Sequence, residues 1–560
     1  MAESPEMKSR SFPSCLLAVA AAVAGAASVA AHAAPAIDLS PVAATKPRHQ
    51  LPAGWERGAF MEIFVRAYRD SDGDGIGDLR GLTSRLDYLK ALGIKGLWLM
   101  PVTQSADRDH GYATTDFRAI EPDYGTLADF DELHKQAHRR GIGVIVDYVI
   151  NHAAAEHPLF VDARQRRDSP YRPWSVWSET APPGWDIWGK YPWYHVGAQP
   201  WLFKGEVKDL ALAGPDARDF FFGTFGPHMP DFDLRHPEAL AYHESSLRFW
   251  LNRGLDGYRL DAVPHMIEID AGNWNDQPES RRLTKHLQSL IKEFPGRYVV
   301  CEATAEPQIY GDPAVCGGAF AFGYAHHFIG AAQGKPESVR RLADYYRSAS
   351  PTMATFLSNH DIFAGRRLWD QLGGNVAQYK LAAAGYLLQP GTPFIYFGEE
   401  VGMAGALSAE ADGPLRSPMS WTAEPARAGF TSGTPFRPIA PNVATNNPVV
   451  MARDPGSILN FYKAMLKLRN GHPSIARGSF ENSFADGLVL GFQRRLGADH
   501  TLVLINYGDV AVTAAAGGLP AGSRLRSAYP AAAKPACADG TGSTRIEMPP
   551  QSVRVFTVRH

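Results

Sequence analysis

Short apolar runs alternate along most of this chain with longer stretches whose apolar positions recur every three or four residues. The runs have the length of buried strands and the longer stretches the period of amphipathic helices, so their alternation predicts parallel βα units. Eight runs qualify as strands: Met61 to Val65, Gly96 to Pro101, Val144 to Val149, Gly257 to Ala262, Tyr298 to Cys301, Ala325 to Ile329, Thr355 to Leu357 and Phe394 to Phe397. Eight parallel strands suit a closed (β/α)8 barrel of the α/β class. Helical spacing covers Leu82 to Leu92, Leu127 to Arg140, Pro237 to Asn252 and Ser280 to Glu293, the third with Pro237 at its start and Gly254 past its end.

The alternation breaks twice. About 85 residues separate His152 from Pro237, where a βα connection needs only a few, so residues 153–236 are expected to form an inserted domain after the third strand. Trp174, Trp177, Trp185, Trp188, Trp193, Tyr194 and Trp201 crowd this insertion. Such rings either stack on the apolar C–H faces of sugars or fill the core of a small subdomain, and both alternatives stand at this point. Near the C-terminus the pattern turns to short alternating strands with Gly and Asp turns, as in Leu488 to Arg494 and Thr501 to Asn506, which predicts an antiparallel β-sandwich over residues 473–560. The barrel is then expected over residues 53–152 and 237–472.

Lys8 and Arg10 precede an Ala-rich apolar run from Cys15 to Ala31, followed by Ala31-His32-Ala33 as a cleavage site. Residues 1–34 are therefore expected to be a signal peptide, with Met7 as its true start, and the protein to be secreted or periplasmic. A Pro/Ala-rich linker is expected over residues 35–52. Cys15 falls in the leader. Cys301, Cys316 and Cys537 are expected to be buried thiols, with a Cys301 to Cys316 bridge as the alternative that export permits. With Lys+Arg 56 against Asp+Glu 58 the net charge is only -2, and no basic run exists to neutralise phosphates, which argues against nucleic acid. A neutral sugar fits better. Beyond the leader no stretch is long enough to span a bilayer.

In such a barrel the chemistry sits where the strands end. The third run ends Asp147-Tyr-Val-Ile-Asn151-His152, the fourth Arg259-Leu-Asp261, the fifth at Glu302 and the seventh Asn359-His360-Asp361. Arg259 and Asp261 are two apart on a strand and share a face. Glycoside hydrolysis needs one carboxylic acid to protonate the leaving oxygen and one carboxylate to attack the anomeric carbon or activate water. Arg259 favours an ionised Asp261 as nucleophile, leaving Glu302 as acid and then base, about 5 to 5.5 Å away. Asp361 would stabilise the oxocarbenium-like transition state, and His152 and His360 would bind sugar hydroxyls.

The segments DYVINH (Asp147 to His152), DGYRLDAV (Asp256 to Val263), CEAT (Cys301 to Thr304) and FLSNHD (Phe356 to Asp361) resemble, in order and spacing, the four principal motifs of the α-amylase family of glycoside hydrolases. GLWLMPV, HGYATTDF, MPDFDL and GTPFIYFGEE support the likeness, which runs from about residue 58 onward. The resemblance implies retention of configuration, Asp261 as nucleophile, Glu302 as acid/base, Asp361 as stabiliser and Tyr112 stacking under the sugar. It also implies a domain B insertion and a C-terminal domain C. MPDFDL is similar to the form found in members intermediate between oligosaccharide-specific and polysaccharide-cleaving enzymes, so the substrate is expected to be an α-glucan or maltooligosaccharide. Pro264-His265 stands where many relatives have Lys-His, so His265 is expected to contact the leaving-group sugar differently. Ala262, where α-1,6-cleaving relatives often carry Val, points to α-1,4 bonds. A trehalose synthase-like or glucanotransferase-like enzyme on the same scaffold is the rival, and a non-catalytic sugar-binding protein the third alternative.

Asp70, Asp72, Asp74 and Asp78 alternate with small residues around Ile76, an arrangement like the first part of an EF-hand calcium loop without its final bidentate Glu. A structural Ca2+ held by these four carboxylates and the Ile76 carbonyl is expected.

Overall fold

A computed structural model describes residues 37–107, 110–197, 218–406 and 411–559. The expected leader and Trp201 lie outside the described residues. Eight short strands form one parallel sheet: β1 Phe60–Ile63, β2 Gly96–Leu99, β3 Gly143–Tyr148, β4 Gly257–Leu260, β5 Tyr298–Cys301, β6 Ala319–Phe320, β7 Met353–Ala354 and β8 Phe394–Tyr396. Their order is β7-β6-β5-β4-β3-β2-β1-β8, and a parallel bridge from Thr355 to Pro393 brings the two outer strands together. The result is the expected (β/α)8 barrel.

Phe60, Trp98, Ile145, Val300, Phe320, Ala354 and Phe394, from seven of the eight strands, make one buried cluster, which therefore fills the barrel interior. Side chains on a strand alternate, so the residue two further on faces the same way. Two beyond Phe60, Ile145 and Val300 stand Glu62, Asp147 and Glu302, all buried. A layer of acids thus lies directly above an aromatic plug, at the carboxyl ends of the strands. Gly96 is required by that plug, because a Cβ there would sit 2.3 Å from the Phe60 ring.

The helices Leu127–Arg139 and Pro237–Asn252 agree with the sequence pattern. The first is capped reciprocally by Thr126 and Asp129, which satisfies backbone donors at its N-terminus. Two expectations are corrected. Ala325 to Ile329 belongs to a helix, Ala325–Ala332, and the sixth strand is the two-residue Ala319–Phe320 before it. Leu82 to Leu92 is broken into Leu79–Thr83 and Leu86–Leu92. The predicted linker is also no free tether. Arg118 Nη1 donates to the Ser40 carbonyl at 2.9 Å, and Asn252 Oδ1 accepts from the Thr45 amide at 2.8 Å, so these residues lie against the barrel.

Within 153–236, a three-stranded sheet orders Trp177–Ser178, Phe220–Phe222 and Trp193–His195. At the C-terminus a six-stranded antiparallel sheet from Ser479 onward faces a two-stranded one, Val512–Ala516 with Thr544–Met548. Leu502, Leu504, Leu525 and Phe556 meet Ala514, Ile546 and Met548 between them, which is the expected sandwich.

The cysteine expectation is overturned. Cys301 and Cys316 form a disulfide with Cα atoms 6.3 Å apart, because β5 and the turn after Tyr310 return the chain to itself, and Cys537 is exposed rather than buried. The bridge closes a loop of 15 residues. Closing such a loop restricts the unfolded chain by about 3 kcal/mol. Cys316→Ser is therefore expected to lower the unfolding free energy by about that amount in denaturant titration; a reduced wild type as stable as the oxidised one would contradict it.

Candidate active site

Arg259 occupies the centre of the acid layer. Its Nη1 contacts both Asp147, at 2.8 Å, and Asp261, while Nη2 lies 3.1 Å from Glu302 Oε2. The guanidinium is 1% exposed, so these carboxylates are its only counter-charges of comparable closeness among the described residues. Asp261 and Glu302, expected to be nucleophile and acid/base, are thus held side by side on one rigid fork. β-type hydrogen bonds extend both strands to these residues: the Asp261 amide donates to Tyr148 O and the Glu302 amide to Leu260 O.

Ala262, just after Asp261, adopts φ 48°, ψ 31°, a left-handed conformation unusual for a residue with a Cβ. The turn aims its N–H at Glu302 Oε2, 3.0 Å away. Local strain here is tied to placing the second carboxyl.

Burial pushes Asp261 up to about 7, with Arg259 opposing, and raises Glu302 as well. Burial thus favours a proton on one of these two carboxyls. Asp261 receives the direct Nη1 hydrogen bond whereas Glu302 takes the longer contact, which assigns the proton to Glu302.

The Tyr112 hydroxyl donates to Asp147 Oδ2 at 2.7 Å, so towards His360 Nε2, 2.8 Å away, it can only accept. Nε2 then carries the imidazole proton, and Nδ1 accepts at 2.6 Å from Glu62 Oε1. Glu62 must be protonated, as its burial and then the Asp361 charge require, since both raise it well above the usual range. Burial, then the positive field of Arg259, holds His360 well below the usual imidazole value, so the ring is neutral. It lies 5.4 Å from the Tyr112 ring in a stacked arrangement and 3.1 Å, through Nε2, from Asp361 Oδ2. Arg416 reaches Asp361 Oδ1 at 3.5 Å and Asp412 at 3.1 Å.

His152 is buried and neutral, burial having pushed it down to about 3, and its Nε2 has no hydrogen-bond partner. A sugar hydroxyl would satisfy that atom. His265, pushed down to about 4 by burial, stacks on Trp274 with ring centres 5.5 Å apart and meets Trp188 edge-on at 5.3 Å. This decides how the aromatic insertion is used. Trp174, Trp193 and Tyr194 are buried in hydrophobic clusters, whereas Trp188 is 60% exposed beside His265. The insertion's rings are mostly core, and Trp188 is a free apolar face at the mouth.

Every expected site residue of the barrel therefore gathers in one place. Glu62, Arg416 and Asp412 were not foreseen. Glu62 had a signal, a single acid inside the apolar run Met61 to Val65, but Arg416 and Asp412 lie in an aperiodic connection that carries none. In the acidic loop, Asp70, Asp72 and Asp78 each bring a carboxylate oxygen within 4.8 Å of the others. Asp74 is not in that group and accepts at 2.7 Å from the Ile76 amide, while Ile76 packs its side chain on the core.

Residues 62–478 match the family model of the alpha-amylase catalytic domain. The trehalose synthase/amylase TreS of Mycobacterium tuberculosis (strain ATCC 25618 / H37Rv) is 32% identical over 510 residues, covering 81% of this chain and 82% of that protein. An oligo-1,6-glucosidase of Parageobacillus thermoglucosidasius is 28% identical over 526 residues, with 81% and 90% covered. The crystal structure of the alpha-glucosyl transfer enzyme XgtA superposes with a TM-score of 0.75 at 26% identity, covering 90% of this chain and 99% of that one. Motif order, barrel, acid layer and these likenesses converge, and the chain belongs to the α-amylase family of glycoside hydrolases.

Proposed function

We propose that this enzyme cleaves α-1,4-glucosidic bonds of maltooligosaccharides or starch with retention, through a glucosyl ester on Asp261. The observation that carries the assignment is the single Arg259 fork shared by Asp261 and Glu302, which holds the two carboxyls side by side, as the close pair of a covalent route requires. Asp261 attacks the anomeric carbon as the glycosidic C–O bond breaks, and Glu302 gives its proton to the departing oxygen. Glu302, now a carboxylate, takes a proton from the acceptor, whose oxygen attacks the anomeric carbon and releases Asp261. Asp361, with His360 Nε2 3.1 Å from its Oδ2, holds the sugar hydroxyls and adds negative charge opposite the developing cation.

Only the acceptor separates hydrolysis from transfer. The likeness to a trehalose synthase/amylase and to an alpha-glucosyl transfer enzyme favours transfer as a second outcome of the same chemistry. Products from maltotriose distinguish them: glucose and maltose support hydrolysis, whereas longer oligomers or trehalose support transfer. Isomaltotriose is expected to be the poorer substrate, since Ala262 leaves the space that α-1,4 ends require; the margin from so small a wall change is about 1 to 3 kcal/mol.

Trp188 is proposed as a platform for the leaving-side sugar. Trp188→Ala is expected to raise KM for maltotriose about tenfold with kcat within a factor of two, because a stacking face lost equally from ground and transition states removes uniform binding of about 1 kcal/mol or a little more. An unchanged KM would remove it from the site.

We propose a structural Ca2+ at the acidic loop. Asp70, Asp72 and Asp78 would hold it, and Asp74, raised by burial and by the adjacent Asp72 and Asp70 charges, would gain from a nearby cation. The loop precedes helix Leu79–Thr83 rather than entering the acid layer, so chelation is expected to lower Tm while leaving kcat at low temperature unchanged. A Tm indifferent to EDTA would contradict this. Export is proposed as well, supported by the leader pattern and by the Cys301–Cys316 bridge; a mature N-terminus upstream of Ala31 would argue against it.

A further inference from the structure

At the opposite end of the barrel from the acid layer, three imidazoles converge on Asp256, the fully buried residue immediately before β4. His138 Nε2 lies 2.7 Å and His134 Nε2 3.4 Å from Oδ2, and His49 Nε2 lies 3.8 Å from Oδ1. His134 and His138 are one turn apart on helix Leu127–Arg139 and so share a face. His49 comes from the N-terminal arm that lies along the barrel.

The hydrogen bonding here is incomplete. Oδ2 accepts from the Val144 amide at 2.8 Å and from His138, but Asp256 Oδ1, His134 Nε2 and His49 Nε2 are buried with no hydrogen-bond partner. Three such atoms together are costly, and buried polar atoms left without partners point to a missing group. A recess of about 440 Å³, lined by Gln50, Asp131, His134, Lys135, His138 and Arg253, gives access from solvent. The rim cations are matched, Lys135 by Glu132 at 3.0 Å and Arg253 by Asp131.

We propose that Asp256, His134, His138 and His49 form a structural zinc site at the base of the barrel. Imidazole nitrogens with one carboxylate are the donor set of zinc, whereas calcium and magnesium take oxygen. Ligand atoms at about 2.0 to 2.1 Å in a tetrahedron stand about 3.3 Å apart; His138 and His134 Nε2 lie 2.7 and 3.4 Å from one Asp256 oxygen, with these ligand atoms all within 4.8 Å of one another, and His49 Nε2 approaches the second oxygen at 3.8 Å. On binding, His138 exchanges its Nε2 proton for the metal, and no redox change is involved. The ion would pin the N-terminal arm and the helix to β4. Asp256 and Asp261 lie at opposite ends of that strand, five residues or about 16 Å apart, so the site acts on stability and not on the reaction.

The test uses the full chain, stripped with a chelator and titrated with Zn2+ alone by calorimetry. One zinc per chain and a raised Tm are expected, and Co2+ in its place should give the intense visible bands of a tetrahedral site. His134→Gln and, separately, His49→Gln should weaken zinc at least tenfold and abolish the Tm rise with kcat/KM unchanged, while Asp70→Asn leaves zinc binding intact. Absence of a saturable site, the weak cobalt spectrum of octahedral coordination, or undiminished zinc binding by both histidine variants would overturn the proposal.

Discussion

Asp261→Asn is expected to lower kcat/KM by about 10⁴-fold or more, because the amide oxygen cannot form the glucosyl ester on which both half-reactions depend. The fold should survive. Asp261 is a buried carboxyl raised to about 7 by burial and by its neighbours Asp147 and Asp361, so at neutral pH the folded state bears a cost for ionising it. A group raised in this way stabilises the fold only below the unfolded carboxylate pKa, and that contribution disappears as pH rises through the folded value. Removing the charge therefore leaves Tm at pH 7 unchanged or higher, while Arg259 keeps Asp147 and Glu302 as partners. A kinetic collapse with an intact or raised Tm separates a chemical role from a structural one. Activity within tenfold of the wild type would remove Asp261 from the reaction.

For Glu302→Gln the expected loss in kcat/KM on maltotriose is about 10²- to 10⁴-fold, the usual worth of a positioned general acid. The pH profile carries the sharper signature. Glu302 must be protonated to act first, and burial followed by the Asp261 charge raises it, so activity falls as pH rises through that value. Asp261 must be ionised, so activity also falls as pH drops, and the wild-type profile is a bell whose limbs belong to the pair. The Gln variant should lose the alkaline limb and keep the acid one. 4-Nitrophenyl α-glucoside, whose leaving group needs little protonation, should lose less in the first step than maltotriose does. An unaltered alkaline limb would assign the acid to another residue.

These expectations rest on positions that the sequence made visible for a simple reason. A parallel strand buried on both faces leaves an uninterrupted apolar run, so an acid or Arg at its carboxyl end stands out, as Asp147, Arg259, Asp261 and Glu302 do. The same rule failed at Ala325 to Ile329, where a short apolar run is equally a turn of buried helix, and the true sixth strand, Ala319–Phe320, is too short to show a period. Arg416 reaches Asp361, and Asp412 the neighbouring Ile362 amide, from about fifty residues downstream, and only the folded chain brings them there. The Cys301–Cys316 bridge likewise depended on how the chain turns back after β5. Composition marked the insertion as aromatic but could not separate the buried Trp193 from the exposed Trp188, because the difference lies in which ring the small sheet covers. His49 and Asp256 are far apart in sequence, so their approach had no local sign.

The most direct test of the central claim is to trap the intermediate. A 5-fluoro-α-glucosyl fluoride forms the ester readily but slows its breakdown, and peptide mass mapping then locates the label. One glucosyl adduct per chain is expected, on Asp261 in the segment Asp256 to Val263, absent from Asp261→Asn. A label on Glu302 or Asp361, or turnover with no covalent adduct and release of β product, would contradict it.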